Sequence, residues 1–103
     1  MIHVLAFITC QPGKRDEVLA AFRANMPAVH AEDGCIEYQP VVDASGFGGF
    51  QAPVGADGFV VIEKWRDAAA LKAHAAAPHM AAYAARTKPL VAERRIHVLT
   101  EPA

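Results

Sequence analysis

At 103 residues the chain has room for one small domain over positions 1–103, since two separate cores would need more sequence. Its 10 basic and 11 acidic residues leave a net charge of -1 with no basic run or acidic tail, which argues against nucleic acid and anionic membrane as partners. Hydrophobic residues make up 53% of the chain, many of them alanine, and so small a domain gains by burying a face in a partner subunit.

IHVLAFIT at 2–9 is a nearly continuous apolar, β-rich run and predicts a buried strand. The opening MIHVLAFITCQPG lacks a charged leading segment and an adequate apolar core, so it does not read as a signal peptide. QPGK at 11–14 breaks the strand. Val18, Leu19, Phe22, Met26 and Val29 then recur at spacings of three and four, which predicts an amphipathic helix. Pro27 is expected to kink or end it, and Gly34 in EDG to take the left-handed cap.

CIEYQPVV at 35–42 reads as the second strand, with Pro40 best tolerated near an edge or a bulge. The connection DASGFGGFQAPVGADG at 43–58 is long and glycine-rich and reads as a mobile lid, a partner-binding arm or a disordered hairpin tip; its Phe47 and Phe50 favour the lid. FVVIEKW at 59–65 predicts a third strand. Asp67 is placed to cap a helix that runs through AALKAHAAA to Pro78, where HMAAYAART begins a second helical piece. RRIHVLT at 94–100 closes the set as a fourth strand.

The order β-α-β-β-α-β predicts a ferredoxin-like α+β fold, an antiparallel sheet with its helices on one face. The first and third strands are apolar on both faces, so the face away from the helices also needs cover. A second copy of the sheet is the natural cover, and a face-to-face homodimer is expected. Cys10 and Cys35 show no CxxC spacing, and no apolar run is long enough to span a bilayer. The expected setting is therefore the cytoplasm, with both thiols reduced.

Chemistry is scarce along the chain. The five histidines form neither HxH nor HxxxH, so spacing gives no metal motif and none is expected. There is no GxSxG, and the glycines of SGFGGF match no phosphate-binding loop. What stands out is EKWRDAAALKAHAAAPHMAAYAART at 63–87. Glu63 and Trp65 share a strand face, and His79 and Tyr83 share a helix face. His74 lies five residues before His79, an angle that splays them on one helix, but Pro78 breaks the helix between them. Taken singly, Trp65 reads as core and His74 as a cap. Together, among small alanines, they read as a pocket for a flat phenolic or quinone-like ligand.

PGKRDEVLAAF, EDGCIEYQ, EKW, and L-x-x-H followed by P-H-x-x-x-Y at 71–83 resemble the antibiotic biosynthesis monooxygenase family along nearly the whole chain. The resemblance implies a dimeric α+β barrel with a pocket between sheet and helices. It also implies oxidation of a small phenol or quinol by molecular oxygen, with no metal, flavin or haem cofactor. On that reading His79 or His74 is the base or oxyanion partner, since an imidazole's ordinary pKa of about 6.5 suits proton transfer near neutral pH. Glu63 would fix a histidine tautomer, and Trp65 and Tyr83 would orient the substrate ring. Tyr38 and Phe7 complete the expected substrate-binding set. The alternatives from the same fold are a non-catalytic dimer that binds quinone or haem, and an isomerase of a small oxidised metabolite. The phosphate-holding cations an isomerase would need are few, chiefly Arg66, Lys72 and Arg86.

Overall fold

A computed structural model describes residues 1–103, and the apolar run at the start of the chain forms strand β1, Ile2–Cys10. Three more strands follow: β2 (Cys35–Val41), β3 (Gly58–Trp65) and β4 (Val91–Leu99). They lie in the order β2-β3-β1-β4, each pair antiparallel. Three helices complete the chain: α1 (Arg15–His30), α2 (Ala68–Ala75) and α3 (Pro78–Thr87). This is the expected ferredoxin-like α+β order, with its second helix in two pieces. Pro40 sits on β2, an edge strand, where a missing donor can face away from the ladder. Strand β4 begins three residues earlier than its sequence suggested, after a 3₁₀ turn over Lys88–Leu90.

Alternation along the strands separates the two faces. Val4, Ala6, Val61 and Trp65 turn toward the helices and are buried. Helix α1 answers with Val18, Leu19, Phe22 and Val29. Phe22, 2% exposed, stacks on Tyr38 at 4.9 Å and meets Phe59 and Tyr83 edge-on. Burying such a ring is worth about 1.5–3 kcal/mol, and each good aromatic pair adds about 0.5–1.5 kcal/mol. The other face of the sheet carries Leu5, Phe7, Ile62 and His97, with Phe7 36% and the neighbouring Leu99 45% exposed.

Pro27 does not end α1. The helix runs on to His30 with the proline exposed on its outer side, so it forgoes one backbone bond without a clash against the sheet. The chain reverses at Gly34, whose φ of +86° favours glycine. A Cβ added there would lie 2.6 Å from Ala70 Cβ, so the turn between α1 and β2 presses directly on α2. That close approach carries Glu32 to the helix it will bond.

The connection at 43–57 is tied down by its own hydrogen bonds. The Asp43 carboxylate accepts from the Val54 and Gly55 N–H groups, both at 2.9 Å, and Asp57 accepts from the Gly13 N–H at 3.0 Å. Phe47 and Phe50 meet edge-on at 6.2 Å and remain exposed. No residue of 43–57 is among those that line the cavity described below.

Candidate active site

Between the sheet and the α2–α3 pair lies a cavity of about 420 Å³, a size ordinary for a small-molecule site. Val4, Ala6 and Val61 line its sheet side, and Ala75, Met80, Ala81 and Ala84 its helix side. Its polar lining is Tyr38, Glu63, His74, Tyr83, Thr87 and Arg94. Alanine at helix positions facing the sheet leaves volume that a leucine would fill, and that missing volume is the cavity.

The break between the helices sets the chemistry. Asp67 caps α2 by accepting from the Ala70 N–H at 2.9 Å, and α2 ends at Ala75. Ala77 is extended, and Pro78 opens α3 at a position where its missing donor costs nothing. The change of direction lets two histidines five residues apart meet one group. His74 Nδ1 donates to Glu32 Oε2 at 2.9 Å, and His79 Nε2 donates to the same oxygen at 2.8 Å. An ionised carboxylate only accepts, so both contacting nitrogens carry the proton. A neutral His74 then holds a bare lone pair on Nε2.

The His74 ring is buried, tilted against Trp65 at 4.5 Å and edge-on to Tyr38 at 5.4 Å. Trp65 is 0% exposed, and its Nε1–H donates to Glu63 Oε1 at 2.9 Å. Burial raises the Glu63 carboxyl above its ordinary pKa; the Trp65 hydrogen bond and the nearby His74 oppose the rise, and the Glu32 charge adds to it. Tyr83 is pushed up to about 12, chiefly by burial, with Arg94 pulling the other way. Tyr38 is raised further, by burial and then by the Glu63 charge. Both phenols therefore stay protonated and able to donate at neutral pH.

Of the residues expected from sequence, His74, Glu63, Tyr38 and Tyr83 line the cavity together. The other three do not. His79 stands behind Glu32, and Trp65 stands behind His74 as core rather than as a wall for the substrate ring. Phe7 is on the opposite face of the sheet, edge-on to His97 at 5.7 Å, because its position on β1 has the parity of Leu5 rather than of Ala6. The carboxylate within hydrogen-bond distance of the histidines is Glu32, whereas Glu63 is engaged by the Trp65 indole. Glu32 escaped notice because it lies 42 and 47 residues from its two partners. No spacing rule reaches that far, and the local signals are Gly34 two residues on and the EDGCIEYQ stretch that Glu32 opens. Among the cations, Arg66 is outside the cavity, paired with Asp33 and Asp67, and the lining cation is Arg94. Although no metal motif exists in the spacing, the fold brings ligand atoms of Glu32, His74 and His79 within 4.8 Å of one another.

Comparison with known proteins bears on what this arrangement does. The family model described as antibiotic biosynthesis monooxygenase matches residues 1–86. The chain is 40% identical over 101 residues to the Escherichia coli protein named "Probable quinol monooxygenase YgiN", covering 96% of each. Among solved structures, PA3566 from Pseudomonas aeruginosa superposes with a TM-score of 0.81 at 27% identity, covering 99% of this chain and 94% of that one. Rv0793 from Mycobacterium tuberculosis does so with a TM-score of 0.79 at 26% identity, covering 99% and 95%.

Proposed function

The chain belongs to the antibiotic biosynthesis monooxygenase family, and we propose that it oxidises a small phenol or quinol with molecular oxygen, without metal, flavin or haem. The observation that carries this reading is the buried His74, held by Glu32 at the wall of an apolar cavity of about 420 Å³. The name carried by the Escherichia coli relative favours the quinol class.

With Nδ1–H committed to Glu32, His74 offers Nε2 to a phenolic O–H in the cavity. Taking that proton leaves an electron-rich phenolate, which reduces oxygen itself. The Tyr38 and Tyr83 hydroxyls, kept protonated by burial, stand as donors for the developing oxyanion. Arg94 at the same lining favours the anionic form of the substrate. The balance closes without an external reductant: a hydroquinone and one O2 give a hydroxyquinone and one water. One oxygen atom enters the ring, the other leaves as water, and the substrate supplies every electron. His79 is a positioning residue, since its contact is to Glu32 rather than to the cavity.

The partly exposed Phe7 and Leu99 support a homodimer through the second sheet face. Cys10 and Cys35, both free thiols, fit a cytoplasmic setting. The test of the activity is oxygen uptake by chelator-treated protein with a panel of hydroquinones and naphthols, run under ¹⁸O2. One labelled atom per product is expected. Uptake no faster than autoxidation, or unlabelled product, would rule the reaction out and leave ligand binding as the reading.

A further inference from the structure

Glu32, His74 and His79 are drawn from three separate elements, and a single carboxylate oxygen sits 2.9 Å from one imidazole nitrogen and 2.8 Å from the other. We propose that these three side chains bind a divalent transition-metal ion of the zinc type, and that the ion turns His74 from a base into a hydrogen-bond donor. The binding claim stands on geometry alone, while the switching claim rests on the base role proposed above.

Geometry supports the first claim. Bonds of about 2.0–2.2 Å from a tetrahedral zinc to nitrogen and oxygen place neighbouring ligand atoms about 3.3–3.6 Å apart. The two oxygen–nitrogen separations, 2.9 and 2.8 Å, need only a small side-chain opening to reach that spacing, and the third pair of donors lies within 4.8 Å. Two imidazoles and a carboxylate are a ligand set that borderline divalent ions favour. Two of the side chains are sheltered and the third is partly open to solvent: Glu32 is 13%, His74 7% and His79 29% exposed, and Gly34 clamps the Glu32 turn against α2.

Charge supports it too. Glu32 has the two histidines as its ion-pair partners and no lysine or arginine, because Arg66 is engaged by the adjacent Asp33. Glu63, 8% exposed, adds a second carboxylate near His74. A dication would balance two carboxylates that the chain itself offsets only with imidazoles.

The consequence for His74 follows from proton accounting. A metal takes the lone pair of the nitrogen that now donates to Glu32. The proton on that nitrogen is reseated on the far one, with none gained or lost by a neutral ring. His74 Nε2 thereby becomes an N–H and no longer accepts a proton from substrate. Metal occupancy should therefore silence the oxygenase reversibly.

The test titrates chelator-treated protein with Zn²⁺ by calorimetry and with Co²⁺ by visible absorption. One equivalent per chain is expected. Glu32→Gln and His79→Asn, checked for fold by circular dichroism, should each weaken binding at least about tenfold, while His3→Ala, remote from the site, should not. Oxygen uptake should fall in proportion to occupancy and return on adding chelator. No stoichiometric binding, or binding indifferent to both substitutions, would overturn the site. Full occupancy with undiminished uptake would overturn the switch. Triad-dependent binding by a chain that never takes up oxygen would support the site and refute the oxygenase reading, so the two failures are separable.

Discussion

Helix α1 lays Val18, Leu19, Phe22 and Val29 on the sheet and fills the space beneath it, whereas α2 and α3 present Ala75, Ala81 and Ala84 and leave a cavity of about 420 Å³. Both halves of the helical layer rest on the same sheet face. They differ in side-chain volume and in the break at Ala77, and those two differences separate a core from a site. The filled half supplies stability through close contacts, which a void would forfeit. The open half keeps Glu63, His74 and Tyr83 at the boundary of that void, where a ligand can reach them and where burial raises the Glu63 and Tyr83 pKa values.

The sharpest way to break this contrast is to hollow the filled half. Phe22→Ala removes a ring packed against Tyr38, Phe59 and Tyr83, at the point where the filled half borders the cavity. It should cost about 3–5 kcal/mol in urea denaturation, a large share of a small domain's stability. A loss below about 1 kcal/mol would mean that α1 is not the stabilising half. The converse change fills the open half. Ala84→Leu should weaken quinol binding about tenfold, near 1.4 kcal/mol, while stability moves by less than about 1.5 kcal/mol. If binding were unchanged, the ligand would sit elsewhere.

A smaller effect probes the boundary between the halves. Burial raises the Glu63 pKa from 4.5, so its contribution to stability is fully present below the unfolded value and is lost as pH rises through the folded one. Glu63→Gln, which keeps an acceptor for the Trp65 indole, should therefore be the more stable protein at pH 7–8, with its advantage shrinking toward pH 4. An advantage that grew on acidification would reverse the sign assigned to this carboxyl.

The fold was readable in the sequence because its signals are local: the apolar runs of β1 and β3, the spacing from Val18 to Val29, Asp67 as a cap and Pro78 as a restart. The convergence of His74 and His79 was half readable, since Pro78 announced the break but not the angle. Three differences share one cause. Sequence pattern puts Phe7 at the site without the strand register that turns it to the far face, reads Trp65 as a wall where it is fully buried, and offers Glu63 to a histidine that meets Glu32. Each depends on which long-range neighbour a side chain meets. Pattern along a chain reports the periodicity of a face, not the group that sits across from it.

The account turns on one pair, Glu32 and His74, and oxygen uptake by His74→Ala and Glu32→Gln under metal-free conditions tests it most directly. Removing the base should slow turnover of an active quinol by about 100- to 10,000-fold. Glu32→Gln, which can present an amide N–H to the ring in place of an acceptor, should cost a substantial part of that, with circular dichroism unchanged for both. Uptake within a factor of about two of the parent protein in both variants would contradict the assignment of His74 as the base.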